Sequence, residues 1–435
     1  MRRHSILALV ALHCLATGIL AQTNGTNSPY SRFGLGRLAD QSQGYNKSMG
    51  GLAQGIRDGR RINMQNPASY AAIDSLSFIF DVGMTFQNGN FKTGGKSINA
   101  HNTTLDYFNA AFRLAPRLGC SFGFMPYSSI GYNYSESKYL TDHFSSGSNM
   151  TYTNQYSGDG GLHSVYLGIG WTPLAQLSIG VNAGYMWGNY EQNTTQTFYD
   201  AGAATSSSNG LRSQTTANLA TWKVDVGVQY PIQLTKDHQL TIGATYGIGH
   251  AINSTAHYNR FMANSDTLSM SVSKAFDLPH TIAAGAVWTY KEQWRVGVDV
   301  SHQRWGDAHM AQLINDTFTS STQNYMNRTG VTVGAEYQPD RYSPRYLRRV
   351  QYRIGASMAT PYYKVNGHNG PTEYGLSAGF SLPVSNNPNS KSLVHVAFQW
   401  LKESPSAATL ITENYLRLHI GITFNERWFM KWKIQ

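Results

Sequence analysis

One pattern constrains this chain more than any other. From about Leu76 to the C-terminus, apolar side chains alternate with small or polar ones, stretch after stretch. In the clearest example Leu177, Ile179, Val181, Ala183, Tyr185 and Trp187 share one face, and Ser178, Gly180, Asn182, Gly184 and Gly188 share the other. A side-chain period of two is a β-strand with one apolar face. In a soluble sandwich the apolar faces must meet in a core. In an outer-membrane barrel the apolar face meets lipid, and the small polar face lines the lumen.

Composition favours the barrel. Charged residues make up only 13% of the 435 positions, and there are 42 Gly and 27 Tyr. A mean hydropathy of -0.36 excludes a bundle of membrane helices, and no apolar run of about 18 residues follows the N-terminus. Residues 1–21 read as a secretory signal. Arg2, Arg3 and His4 precede an apolar stretch from Ile6 to Ala16, and cleavage is expected near Ala21. Its removal takes Cys14 away and leaves Cys120, too few cysteines for an internal disulfide or a thiolate metal site. The net charge of +10 fits basic residues in turns beside lipid headgroups better than a nucleic-acid surface, since no Lys/Arg run lies on a helix.

The alternating region, residues 76–435, divides into roughly fourteen strands, an even number as a closed bacterial barrel requires. Short connections (115–117, 172–175, 231–237, 291–292) alternate with longer ones (87–102, 135–161, 191–218, 253–274, 306–324), and the longer ones are expected to be solvated loops. Trp171, Trp187, Trp222, Trp288 and Trp294 fall near expected strand ends, as in an interfacial girdle. Residues 22–75 lack the alternation, yet carry Phe33, Leu35, Met49, Leu52, Ile56 and Ile62. They are expected to pack as a plug inside the lumen, with a short helix within Ser48 to Asp58.

Candidate chemistry is sparse. Gly119-Cys-Ser121-Phe-Gly123 and Gly375-Leu-Ser377-Ala-Gly379 match the G-x-S-x-G pattern of a nucleophile elbow. That pattern needs a strand-turn-helix setting, and both copies lie inside alternating strands, where Gly and Ser at spacing two make a lumen face. Gly94-Gly95-Lys96-Ser97 ends like a phosphate loop, but no helix follows. The histidines show no metal-binding spacing, and His302, His395 and His419 read as hydrogen-bonded wall residues. No cofactor, metal or catalytic set is expected, and the chain does not read as an enzyme. Strand parity puts Asp81, Arg113, Lys223, Asp225, Arg295, Asp299, Arg328, Glu336, Arg353 and Arg417 inside. There they can form ion pairs with one another or with the plug, whereas lipid-facing charges cost about 2–4 kcal/mol at the midplane.

The segment Ser48-Met-Gly-Gly-Leu-Ala-Gln-Gly-Ile-Arg-Asp58, followed by Asn66-Pro67-Ala68 directly before the first strand, resembles the outer-membrane long-chain fatty acid and toluene transporter family. Ser69 stands where many members have Gly or Ala. The resemblance implies an N-terminal hatch inside a fourteen-stranded barrel, with Asn66, Pro67 and Ala68 as the hatch motif. It implies uptake of hydrophobic small molecules across the outer membrane of a Gram-negative bacterium, gated by the hatch and released sideways into lipid. The charged lumen fits fatty acids poorly. The alternative is a barrel that transports nothing and serves as a partner subunit of a protein-secretion or outer-membrane assembly complex.

Overall fold

A computed structural model of the chain describes residues 25–139, 151–174, 176–199, 210–262, 265–384 and 391–427. The expected signal sequence lies outside the described residues. Fourteen antiparallel strands form the wall, as the alternation predicts. They are β1 (Ser77–Thr93), β2 (Lys96–Ala115), β3 (Leu118–Tyr139), β4 (Thr151–Trp171), β5 (Ser178–Tyr199), β6 (Leu211–Gln233) and β7 (His238–Gly247, resumed at Thr255–Met262). The others are β8 (Ser265–Ser273, resumed at Thr281–Tyr290), β9 (Trp294–Gln303), β10 (Arg328–Tyr337), β11 (Gln351–Ala359), β12 (Thr372–Pro383), β13 (Leu393–Ser404) and β14 (Thr412–Arg427). Strand β14 pairs back onto β1 from Ser77↔Arg427 to Lys92↔Thr412, which closes the barrel.

Burial follows parity. Along β1, Ile79, Asp81 and Thr85 are buried inside, while Phe86 is exposed outside. The same holds along β5, where Ile179, Val181 and Tyr185 stand 41–53% exposed as a lipid-facing row. The tryptophans mark its limits. Trp171 lies opposite Ile179, and Trp187 stands about 26 Å of strand higher at roughly 3.3 Å per residue. That is close to the apolar band of an outer-membrane barrel.

The strands do not stop at Trp187, and this corrects the expected loops. A membrane strand needs about 9–11 residues, yet β2 to β6 run for 20 to 23. The stretch 87–102 is a hairpin closed by Gly94 and Gly95 at φ +53° and +78°, the left-handed pair that a two-residue turn requires. Within 253–274 Thr255–Met262 pairs antiparallel with Ser265–Ser273, and within 306–324 Met310–Ile314 pairs with Thr317–Ser321. Above the membrane the alternation loses its apolar half, as in Gln192 to Thr197, so a hydrophobicity pattern cannot register the strand. The wall is lower on one side, where β9, β10 and β11 have 10, 10 and 9 residues.

The outer end is not an open mouth. Four short strands, His250–Ile252, Phe276–Leu278, Met310–Ile314 and Thr317–Ser321, form a separate sheet there. Their Phe276 and Met310 join Trp305, Tyr362, Ile130, Tyr190 and the N-terminal Tyr30 and Leu35 in one buried apolar core. Below it the N-terminal segment continues through the lumen to β1. The expected helix within Ser48 to Asp58 does not form. A single turn, Gly44–Lys47, precedes it, and Gly50 and Gly51 then take φ of +68° and +92°, outside the right-handed helical region.

Candidate functional site

The richest polar arrangement in the molecule is the interface between the N-terminal segment and the barrel wall. Near the short-turn end, three guanidinium groups surround two carboxylates. Glu336 on β10 accepts from Arg61 Nη1 at 2.9 Å, Arg353 Nε at 2.6 Å and Arg295 Nη1 at 2.8 Å. Arg295 also reaches Asp58 Oδ2 at 3.0 Å, and Arg61 Nη2 donates to Gln351 Oε1 at 2.8 Å. Glu336 and Arg353 are almost fully buried. Burial disfavours the charge on Asp58, but Arg295 and Arg61 beside it hold its carboxyl below the usual range.

Wall residues satisfy the segment's backbone elsewhere. Asp299 Oδ2 accepts from the amides of Ala53 at 2.6 Å and Gln54 at 2.9 Å. Gln229 Nε2 donates to the carbonyls of Gln54 and Ile56, and Gln399 Nε2 to that of Lys47. Ser377 Oγ accepts from Gly50 N, and Tyr107 Oη from Gly44 N. Irregular backbone at membrane depth needs such partners, because lipid offers none.

The Asn66-Pro67-Ala68 motif sits at the far side of the segment. Pro67 opens a 3-10 turn, Pro67–Ala72, and Asn66 caps it by accepting from Ala68 N at 3.2 Å. Asn66 Nδ2 donates to the carbonyls of Gln54 and, on β6, Val228. The turn lies flat on the wall because the wall is glycine there. A Cβ on Gly180 would stand 2.3 Å from the Pro67 carbonyl carbon, and one on Gly227 2.3 Å from Asn66 Oδ1. The two G-x-S-x-G stretches serve the same packing. Gly119 abuts the Tyr70 carbonyl and Gly379 abuts Ser48, while Ser121 is buried and donates to the Ala110 carbonyl. Neither serine is placed as a nucleophile at a turn.

A second polar cluster lies where β2 and β3 part. Their pairing ends at Phe108↔Phe124, although both strands continue outward. The N-terminal segment fills the seam from inside. Arg37 and Leu38 pair with Ser129 and Ser128 of β3, and Asn27 Nδ2 donates to Asn102 of β2 at 3.2 Å. Behind it is a chamber of about 450 Å³ lined by Arg37, Asp40, Lys47, Asp106 and Arg417 together with Leu38, Met84 and Phe124. Lys47 Nζ lies 3.1 Å from Asp40 and 3.6 Å from Asp106, and His419 Nδ1 lies 2.7 Å from Asp106. Burial works against the charge at Asp40, yet Lys47 holds the carboxyl well below its usual range.

Of the ten charged residues placed inside by parity, the structure gathers Arg295, Glu336 and Arg353 into the arginine cluster. Asp299 binds the segment's amides alone. Asp81 is buried beside Tyr107 and Thr423. Lys223 and Asp225 pair with each other, and Arg328 approaches Glu373 at 3.7 Å. Arg417 donates to Gln87 at 2.6 Å. Arg113 stands apart near the short-turn end, donating to the Ala115 carbonyl. Sequence reasoning missed Arg61, Asp58, Lys47, Asp40 and Arg37, all in the segment without alternation. It also missed Asp106, which a register shift at Gly83/Met84 takes off the strand's parity. His395 is fully buried between Ser381 and Thr423, a wall residue as expected. Among the described residues no group of His, Cys, Asp and Glu is arranged to hold a metal ion.

This architecture is shared with solved barrels at low identity. The CymD monoaromatic hydrocarbon channel matches with a TM-score of 0.59 and 14% identity, over 92% of this chain and 100% of its own. The Ralstonia pickettii toluene transporter TbuX gives 0.59 and 15% over 91% and 99%. A Pseudomonas aeruginosa FadL homologue gives 0.57 and 11% over 90% and 99%. The fourteen-stranded barrel expected from the Asn-Pro-Ala resemblance is therefore present, although these identities carry the fold and no more. No curated protein sequence matches the chain. A family profile does, over residues 1–435, and its family is a different one from that resemblance: with a match along its whole length, the chain belongs to the BamG family.

Proposed function

We propose that this protein is a sealed outer-membrane barrel that works as a partner subunit of a protein-secretion or outer-membrane assembly complex. The observation that carries the reading is an N-terminal segment fixed in both halves of the lumen. In the outer half, Tyr30 and Leu35 are locked into an apolar core with the hairpins. In the inner half the segment is bonded to β2, β6, β9, β10, β12 and β13. A gate that swings would have to break several buried charged hydrogen bonds, each worth about 1.5–3 kcal/mol. The long polar strands above the membrane supply what a partner needs instead, a rigid wall that is taller on one side.

A second reading is uptake of a hydrophobic small molecule, with the N-terminal segment as hatch and sideways release into lipid. The chamber behind the β2–β3 seam supports it, since about 450 Å³ is within the range of small-molecule sites. The names of the similar barrels, a monoaromatic hydrocarbon channel and a toluene transporter, agree with it. The ion pairs in the chamber weigh against an apolar ligand.

Affinity isolation of the full chain in mild detergent separates the two. The first reading expects a complex of fixed stoichiometry with an outer-membrane assembly or secretion protein, and unchanged toluene uptake in cells lacking this chain. Recovery as a lone barrel, together with lost uptake in the deletion strain, would overturn it in favour of the second.

A further inference from the structure

We propose that the outside of the barrel carries a binding groove for a phosphorylated acyl lipid of the outer leaflet, formed by β12, β13, β14, β1 and β2. The groove is an open depression of about 680 Å³, lined by Leu376, Phe398, Trp400, Leu416, Leu418 and Phe86. Leu376, Phe398 and Leu416 are 53–62% exposed. Lipid touches all such walls. Here the wall is concave, so acyl chains gain contact on more than one side and exchange more slowly than at a convex wall.

The rim decides the headgroup. The strand register places Lys402 one outward position above Trp400, beside Tyr374 and Asn414. His101 lines the groove and pairs with Asn88. Lys92 stands higher on the same face, opposite Thr412. On the outer halves of these five strands the outward positions carry these basic residues and no Asp or Glu. The carboxylates of the same stretch, Glu373, Glu403 and Glu413, have the inward parity, and Glu403 and Glu413 are buried. An apolar trough under a rim of one sign matches a lipid with an anionic head. Each lysine near such a surface strengthens binding severalfold. A hydrocarbon would not use the lysines, and the inference does not depend on the partner-subunit reading.

Native mass spectrometry of the full-length barrel in neutral detergent tests this, with diphosphorylated lipid A and dioleoylphosphatidylcholine as probes. One lipid A should be retained per barrel, at least about tenfold in preference to the zwitterion. The double variant Lys92→Gln/Lys402→Gln should lose roughly tenfold of that preference, and both positions are solvent-facing or half-buried, so folding is retained. Ala378→Trp, which fills the trough, should release both lipids, with Leu416→Trp as a second filler if the first does not fold. Equal retention of the two lipids, an unchanged preference in the lysine variant, or a copurifying polypeptide that shields Trp400 in place of lipid would each overturn the proposal.

Discussion

Glu336 ties the N-terminal segment to the wall. It is the shared acceptor of three guanidinium groups, of which Arg61 comes from the N-terminal segment and Arg295 and Arg353 from the wall. Removing one partner of a buried pair leaves uncompensated charge and typically costs 3–5 kcal/mol, more than the pair's net contribution. Glu336→Gln leaves Arg353 facing a neutral amide, with Asp58 left as the carboxylate for Arg61 and Arg295. The expected outcome is a barrel destabilised by about 3–5 kcal/mol, seen as an earlier loss of the heat-resistant folded band on electrophoresis. An unchanged transition would mean that the cluster contributes nothing to holding the segment. Arg295, Glu336 and Arg353 could be named from strand parity. Their partners Arg61 and Asp58 could not, because nothing in residues 22–75 has a period that tells inside from outside.

At the scale of elements, the wall and the segment are fitted by glycine. The inward face of β3 to β6 is small where the Pro67–Ala72 turn lies against it, and backbone meets backbone at Gly180. A leucine at position 180 would put its Cβ within 2.3 Å of the Pro67 carbonyl carbon, and a backbone atom cannot rotate away as a side-chain tip can. Gly180→Leu is therefore expected to expel the segment while leaving the strands paired. Limited proteolysis would show cleavage between residues 40 and 75 in the variant, and protection in the parent protein. The glycines were visible in the sequence as a lumen face, but their purpose was not, since an empty lumen would also accept small residues. The hairpins were missed for a related reason. Above Trp187 both faces meet water or protein, so Thr, Asn and Gln occupy both parities, and the pairing rests on the backbone ladder and on cross-strand contacts such as Gln214 to Glu191, which leave no hydrophobic period.

The whole molecule is closed twice, by an apolar core at the outer end and by a polar interface nearer the turns. The two closures share one piece of chain, residues 25–75, which enters beside the β2–β3 seam and leaves into β1. Deleting residues 22–36 removes Tyr30 and Leu35 from the outer core and the backbone that leads into the seam strand. It leaves Arg61, Asp58 and the glycine-packed turn in place. The expected result is a folded barrel that admits small solutes at its outer end, with raised single-channel conductance in planar bilayers and greater antibiotic sensitivity in cells. Conductance equal to that of the intact chain would show that the hairpins close the mouth without the N-terminus.

The sequence by itself determined the wall. Period-two alternation is local, so strand count, inside face, closure and the lipid-facing rows follow from it wherever lipid demands an apolar side. Only the tertiary structure decided what fills that wall. The ties of Glu336, Asp299 and Gln229 to the N-terminal segment join residues more than 170 positions apart. The groove on the outside depends on how five strands curve relative to one another. Neither kind of information is carried by a local pattern, because both arise from surfaces that meet only after the barrel has closed.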